Sequence, residues 1–197
     1  MINRIAFINR LKTNQLYANP LLKGQQDGLM AMIDEWEARG LTDIRWLAYI
    51  LATVYHETGR TFQPIEEWGK GYGRPYGKKL KYGGGPNKRV PYDKPDQLYY
   101  GRGHTQNTWF EIYEKLTKAN KNGWDFLNEP DLLLTMKPSV WATFHGMLTG
   151  LYTGKKLSDY FNSTTEDWVN ARRIINGTDR AELIALYAKR FLECLKP

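Results

Sequence analysis

A chain of 197 residues, 42% hydrophobic and 25% charged, is long enough for one substantial core and too rich in apolar residues to be disordered or of low complexity. Lys and Arg number 28 against 21 Asp and Glu, and the formal net charge of +7 points to a polyanionic partner or an anionic surface. Nucleic acid, anionic lipid and a wall with acidic polymers all satisfy that charge. The single cysteine, Cys194, excludes an intrachain disulfide, and its apolar C-terminal setting suits an inert buried thiol.

The segment from Met1 to Leu22 carries Arg4, Arg10, Lys12 and Asn14 among its apolar residues, so it lacks the apolar core of a signal peptide. No segment is long enough to cross a membrane, and no membrane insertion is expected. A protein made in the cytoplasm, and released by something else if it works outside, is the expectation. From Gly24 to Arg39, Leu29, Met32, Ile33 and Trp36 recur at helical spacing, with Gly40 as the stop. A second helix is expected from Thr42 or Asp43 to about Thr58, with a stripe of Ile44, Leu47, Ile50, Leu51 and Val54. From Gly69 to Pro95 helical periodicity vanishes: seven glycines, four prolines and eight Lys or Arg face one acid, Asp93. Such a stretch, an irregular basic insert over about residues 69–98, is a long loop or a small irregular sheet, and segments of this kind are usually functional. Helical patterns return over Thr108 to Ala119, Pro138 to Thr153 and Thr164 to Ile175. Asp179 with Glu182 three later reads as a capping box opening a last helix through Leu195. With no repeat and no linker, residues 1–197 read as a single domain, mostly α.

The three histidines, His56, His104 and His145, have no His or Cys at metal-ligand spacing, so no metal site is expected. No phosphate-binding glycine loop and no nucleophile elbow is visible. Three runs remain. Glu57, in His56-Glu57-Thr58-Gly59, lies beside Ile50 at the edge of an apolar helix face, where desolvation favours the neutral carboxyl that a general acid needs. Glu66 and Glu67 follow in Pro64-Ile65-Glu66-Glu67-Trp68-Gly69, and glycosidic cleavage generally needs two such groups. The run from Tyr99 to Trp109 combines glycines for close backbone approach, aromatics for sugar rings or bases, and Gln and Thr for hydrogen bonds.

In order and content these runs resemble glycoside hydrolase family nineteen, the chitinases and related phage and bacterial endolysins, closest to the short lysin-like branch. The likeness runs from about Gly24 to Leu195. It implies a mainly helical, lysozyme-like α+β fold with a small irregular β/loop insert lining a cleft. It implies Glu57 as general acid, and Glu67 rather than Glu66 as general base, because in the lysin-like branch that carboxylate directly precedes an aromatic and a glycine. Thr108 would help hold the attacking water. His56, Tyr99, Arg102, Gln106, Trp109, Tyr113 and Asn176 would contact sugar. The mechanism implied is inverting, with carboxyl groups roughly 6.5 to 9.5 Å apart and no metal or organic cofactor. Expected partners are a polysaccharide, peptidoglycan or else chitin, and no nucleic acid, with the protein a monomer. A wall-binding protein without catalytic activity is the alternative. The sequence departs from the family at Ile112, where an Asn is usual, and at His104 and Asn107, which replace apolar residues. Only Arg180 lies near the place of an arginine in the family's last helix.

Overall fold

The computed structural model describes residues 1–85 and 87–196. They form two compact units, one of residues 1–63 with 143–196 and one of residues 64–142, the division falling inside α5 (Met136–Thr149). Among the described residues no helix is long and apolar enough to cross a membrane.

The first unit is helical: α1 (Arg4–Thr13), α2 (Lys23–Ala38), α3 (Ile44–Glu57), the last part of α5, the short α6 (Leu157–Tyr160), a 3₁₀ turn (Asn170–Ile174) and α7 (Ala181–Leu195). Asp43 caps α3, its Oδ1 accepting from Arg45 N at 3.1 Å. Every residue from Leu47 to Tyr55 is buried, so α3 is enclosed all round rather than along the single stripe its spacing suggests. Leu47, Ile50, Leu51 and Val54 contribute roughly 1.5–3 kcal/mol each by burial. At its far end the Tyr55 ring meets Tyr187 and Phe191 of α7 edge-on, at 4.8 and 5.6 Å between centroids. This packing anchors the turn of helix that carries Glu57.

One helix goes beyond the sequence expectations and two expectations need correcting. The N-terminal segment forms a helix, α1, capped by Asn3 and burying Phe7 and Leu11; its interleaved charges mask the pattern. The stretch from Thr164 to Ile175 is not one helix. Asn162 Oδ1 accepts from Thr164 N and Thr165 N, and Asp167 Oδ1 accepts from Asn170 N, so side chains compete for the amides a helix would use and only a 3₁₀ turn follows. The Asp179 and Glu182 capping box does not form; α7 opens after Arg180, which stands at φ +57 with no side-chain cap. Pro138 sits inside the first turn of α5, two residues later than the helix begins, where its missing N–H breaks no helical bond.

The second unit holds two small antiparallel sheets. In one, β1 (Ile65–Glu66) pairs with β4 (Arg102–Gly103); in the other, β2 (Leu80–Tyr82) pairs with β3 (Arg89–Pro91). With them are α4 (Phe110–Ala119), 3₁₀ turns at Pro75–Gly77 and Pro130–Leu134, and the start of α5. The core around Tyr99 includes Phe110 and Tyr113, at 5.4 and 4.9 Å. His104 and Asn107, unusual for their positions, are buried: His104 Nδ1 lies 2.7 Å from Ser139 Oγ, and Asn107 Nδ2 donates to Arg102 O while its Oδ1 accepts no hydrogen bond among the described residues. The β2–β3 hairpin and its flanking turns are the irregular basic insert.

Two half-buried ionisable groups of the first unit bear on stability. Burial pushes the pKa of His56 and of His145 below the ordinary histidine value of 6.5. A depressed folded-state pKa means that the unfolded chain binds more protons, so stability is complete above pH 6.5 and falls as acid protonates the unfolded histidines. The melting temperature is expected to be flat from pH 8 to 7 and to fall between about pH 6.5 and 5, with His56→Gln plus His145→Gln flattening that fall. Cys194 is buried and its thiol is pushed up to about 12, which makes it unreactive at neutral pH.

Candidate active site

Glu57 ends α3. Thr58 Oγ1 donates to Val54 O at 2.7 Å and accepts from Phe62 N at 3.1 Å, while Gly59 turns into the left-handed region at φ +57. The motif thus includes a helix stop, and the stop leaves the Glu57 side chain half-buried at the helix end. Its Oε1 accepts from Arg172 Nη1 at 2.6 Å. That guanidinium is only 4% exposed and also donates from Nε to the Asp179 carbonyl. The sequence did not point to Arg172: the family's arginine was looked for in the last helix, where only Arg180 is near, whereas Arg172 comes from the preceding 3₁₀ turn. The same turn leads to Asn176, exposed, whose Oδ1 accepts from Gly177 N. His56, beside Glu57, is half-buried.

In the second unit, Glu66 ends β1 and Glu67 follows it, and the two carboxylates meet different partners. Glu66 Oε1 accepts from Tyr100 Oη at 2.7 Å and Lys70 Nζ lies 3.2 Å from Oε2; the Tyr100 hydrogen bond first, and Lys70 with it, hold this carboxyl below its ordinary range. Glu67 accepts one hydrogen bond on each oxygen, from Tyr76 Oη at 2.7 Å and from Gly101 N at 2.9 Å. Burial, then the bond to Glu67, raises the pKa of the Tyr76 hydroxyl, keeping it a donor.

Arg102 to Asn107 form a tight hairpin closed by Asn107 N to Arg102 O at 2.8 Å and Arg102 N to Asn107 O at 3.1 Å. Gln106, at φ +50, donates from Nε2 to Ile65 O and Gly103 O, so its amide is tied to β1. Its Oε1 stands where a side chain on residue 101 would be, 2.6 Å from an ideal Cβ, with Glu67 Cβ at 3.4 Å from the same point. Glycine at 101 is what lets Glu67 and Gln106 come together. Thr108 Oγ1 donates to Gln106 O at 2.8 Å, which commits its proton and leaves the oxygen free to accept.

Three residues expected to touch sugar do not reach the surface. Tyr99 is buried and its hydroxyl donates to Leu127 O; Tyr113 is buried and donates to Tyr100 O. Arg102 is buried against the Tyr100 ring at 3.6 Å and bonds Asp131, Leu98 O and Tyr113. Their polar groups are satisfied within the unit, so they brace the hairpin instead of binding ligand. Trp109 is half-buried, edge-on to Tyr76 at 5.5 Å and with the Arg89 guanidinium 3.7 Å from its ring centre, so one ring face is covered. Its backbone, φ +77 and ψ 144, lies in a region that normally takes glycine, the sort of strain that functional sites hold. Tyr76 was missed because it lies among the glycines of the insert with no periodicity around it. Among the described residues no group of three or more His, Cys, Asp or Glu is placed to hold a metal ion.

No protein-family model and no curated protein matches the chain. Solved structures do. Chitinase C from Streptomyces griseus HUT6037 superposes with a TM-score of 0.60 at 20% identity, over 98% of this chain and 92% of that one. A family 19, class IV chitinase from Zea mays gives 0.55 at 21% identity, over 96% and 90%. A bacterial family 19 chitinase gives 0.54 at 21%, over 98% and 94%. At these identities the likeness is one of fold. The mainly helical architecture with small antiparallel sheets, expected from the sequence, is the fold of family nineteen chitinases.

Proposed function

We propose that the chain is an inverting glycosidase of β-1,4-linked amino-sugar polymers, with Glu57 as general acid and Glu67 as general base. The observation that carries this reading is the pair of differently held carboxyl groups. Glu57 is fixed through one oxygen by a buried arginine, and Glu67 is fixed through both oxygens by a tyrosine and a backbone amide. In this mechanism Glu57 gives its proton to the glycosidic oxygen as the bond to C1 breaks, and Glu67 takes a proton from the water that attacks C1 from the opposite face. Thr108, with its own proton committed to Gln106 O, accepts the second hydrogen of that water and so orients it. His56, Gln106 and Asn176 are the polar groups proposed to hold sugar, with Trp109 offering one ring face.

The substrate proposed is peptidoglycan, as in the lysin-like branch; chitin is the second reading, favoured by the likeness in fold to proteins described as chitinases. Proton NMR of fresh digests decides the stereochemistry, and α-anomeric reducing ends from a β-linked substrate are expected. Initial β-anomers would show retention and sink the two-carboxylate inverting scheme. Mass spectrometry of sacculus and chitin-oligomer digests separates the substrates by the reducing-end sugar. Absence of any cleavage by the unmodified protein would favour a wall-binding protein instead.

A further inference from the structure

Directly after Glu67 the chain forms a run of tight turns: Lys70 N bonds Glu67 O, Tyr72 N bonds Gly69 O, Arg74 N bonds Gly71 O and Gly77 N bonds Arg74 O. The run is pinned where Gly71 crosses Gly77. A Cβ on Gly77 would stand 1.9 Å from Gly71 O, and one on Gly71 2.9 Å from Gly77 Cα, so neither position tolerates a side chain without moving the loop. This ordered backbone holds two large aromatic side chains away from the protein: Trp68 is 99% exposed and Tyr72 is 93% exposed. Neither ring packs on anything within the unit, so their placement gains the fold nothing, and exposed aromatics of this kind mark interaction sites. Around them stand cations. Arg74 and Lys78 in the same loop, and Lys88 and Lys94 on the flanks of the β2–β3 hairpin, are exposed and have no side-chain hydrogen bond or ion pair among the described residues. Other cations of the insert are engaged: Lys70 with Glu66, Lys79 with Asp96, Arg89 with Glu111.

We propose that Trp68 and Tyr72, with Arg74, Lys78, Lys88 and Lys94, form a docking surface for an acidic glycan: the two rings stack on sugar faces and the free cations meet carboxylates borne by the polymer. The choice of a glycan over other polyanions rests on the glycosidase reading; the acidic character does not. A lipid surface fits poorly, because from Trp68 to Lys79 the chain has no Leu, Ile, Val, Met or Phe to enter a bilayer. A nucleic acid fits poorly too. Its phosphates would run past two adjacent carboxylates, Glu66 and Glu67, whereas a polysaccharide presents neutral rings there and carries its acids on substituents.

The test is binding of the full chain to purified peptidoglycan sacculi, to the same sacculi with carboxylates amidated, to chitin beads and to a single-stranded oligonucleotide, each at low and at moderate salt. Tight binding to native sacculi is expected, weakened about tenfold or more by amidation and, for untreated sacculi, by salt. A variant with Arg74, Lys78, Lys88 and Lys94 changed to Gln should lose the same factor on sacculi and nothing on chitin. Trp68→Ala with Tyr72→Ala should weaken both. Equal binding of the unmodified protein to native and amidated sacculi overturns the proposal, as does tighter binding to the oligonucleotide, and neither needs a variant to fold. Failure here leaves the glycosidase reading standing if chitin or sacculi are still cleaved; loss of that reading shows as no cleavage, whatever the binding.

Discussion

Glu57→Gln is expected to lower kcat on an amino-sugar oligomer by about 10²- to 10⁴-fold, the usual worth of a positioned general acid, with KM little changed. The amide cannot supply a proton, but its oxygen still accepts from Arg172 Nη1, now 2.6 Å from Oε1. Folding is therefore expected to survive. Glu57→Ala is the contrasting case. It strands a guanidinium that is 4% exposed, beside a carboxylate position that is 18% exposed, and a cost of about 1–3 kcal/mol in unfolding free energy is expected from the lost partner. Chemical denaturation of both variants beside their kinetics separates the two roles of the residue. Full activity in Glu57→Gln would remove it as the acid.

Glu67→Gln is expected to cost about 10²- to 10³-fold in kcat, and Glu66→Gln less than about fivefold. The neighbours differ in what surrounds them. Glu66 is engaged with Tyr100 and Lys70 and its carboxyl is held well into its ionised range, which makes it a poor acceptor of a proton. Glu67 stands with Gln106, whose carbonyl anchors Thr108, and its oxygens are held by Tyr76 and Gly101. A glutamine at 67 can keep its oxygen on Gly101 N and turn its amide toward Tyr76, whose hydroxyl can accept, so the loop should persist. A large loss in Glu66→Gln with none in Glu67→Gln would move the base to Glu66 while leaving Glu57 in place.

Helices α2, α3, α4, α5 and α7 were legible because each repeats apolar residues at a period that local geometry dictates. The insert was legible from its glycines and prolines, which forbid such a period. α1 was not, since Arg4, Arg10 and Lys12 break up a helix that buries only Phe7 and Leu11. Nor was the turn at Asn162 to Ile174, where Asn and Asp side chains took the amides. Burial was misjudged for Tyr99, Arg102 and Tyr113, which lie in a run that suits a ligand yet are sealed inside, and the near-complete exposure of Trp68 and Tyr72 has no mark in the sequence.

The sequence alone determined that the chain is mainly helical and that one strongly apolar helix ends near Glu57, because Thr58 and Gly59 are a stop that neighbours on the chain can make by themselves. Tertiary structure alone decided what Glu57 faces. Its partner, Arg172, is 115 residues away, and no periodicity records a contact at that separation. The same holds for Glu67, whose two donors come from Tyr76 on a turn and Gly101 beside a strand. Local spacing sets which residues share a helix face or a strand; only the packed chain sets which charge meets which donor, and that meeting defines the chemistry each carboxyl can do.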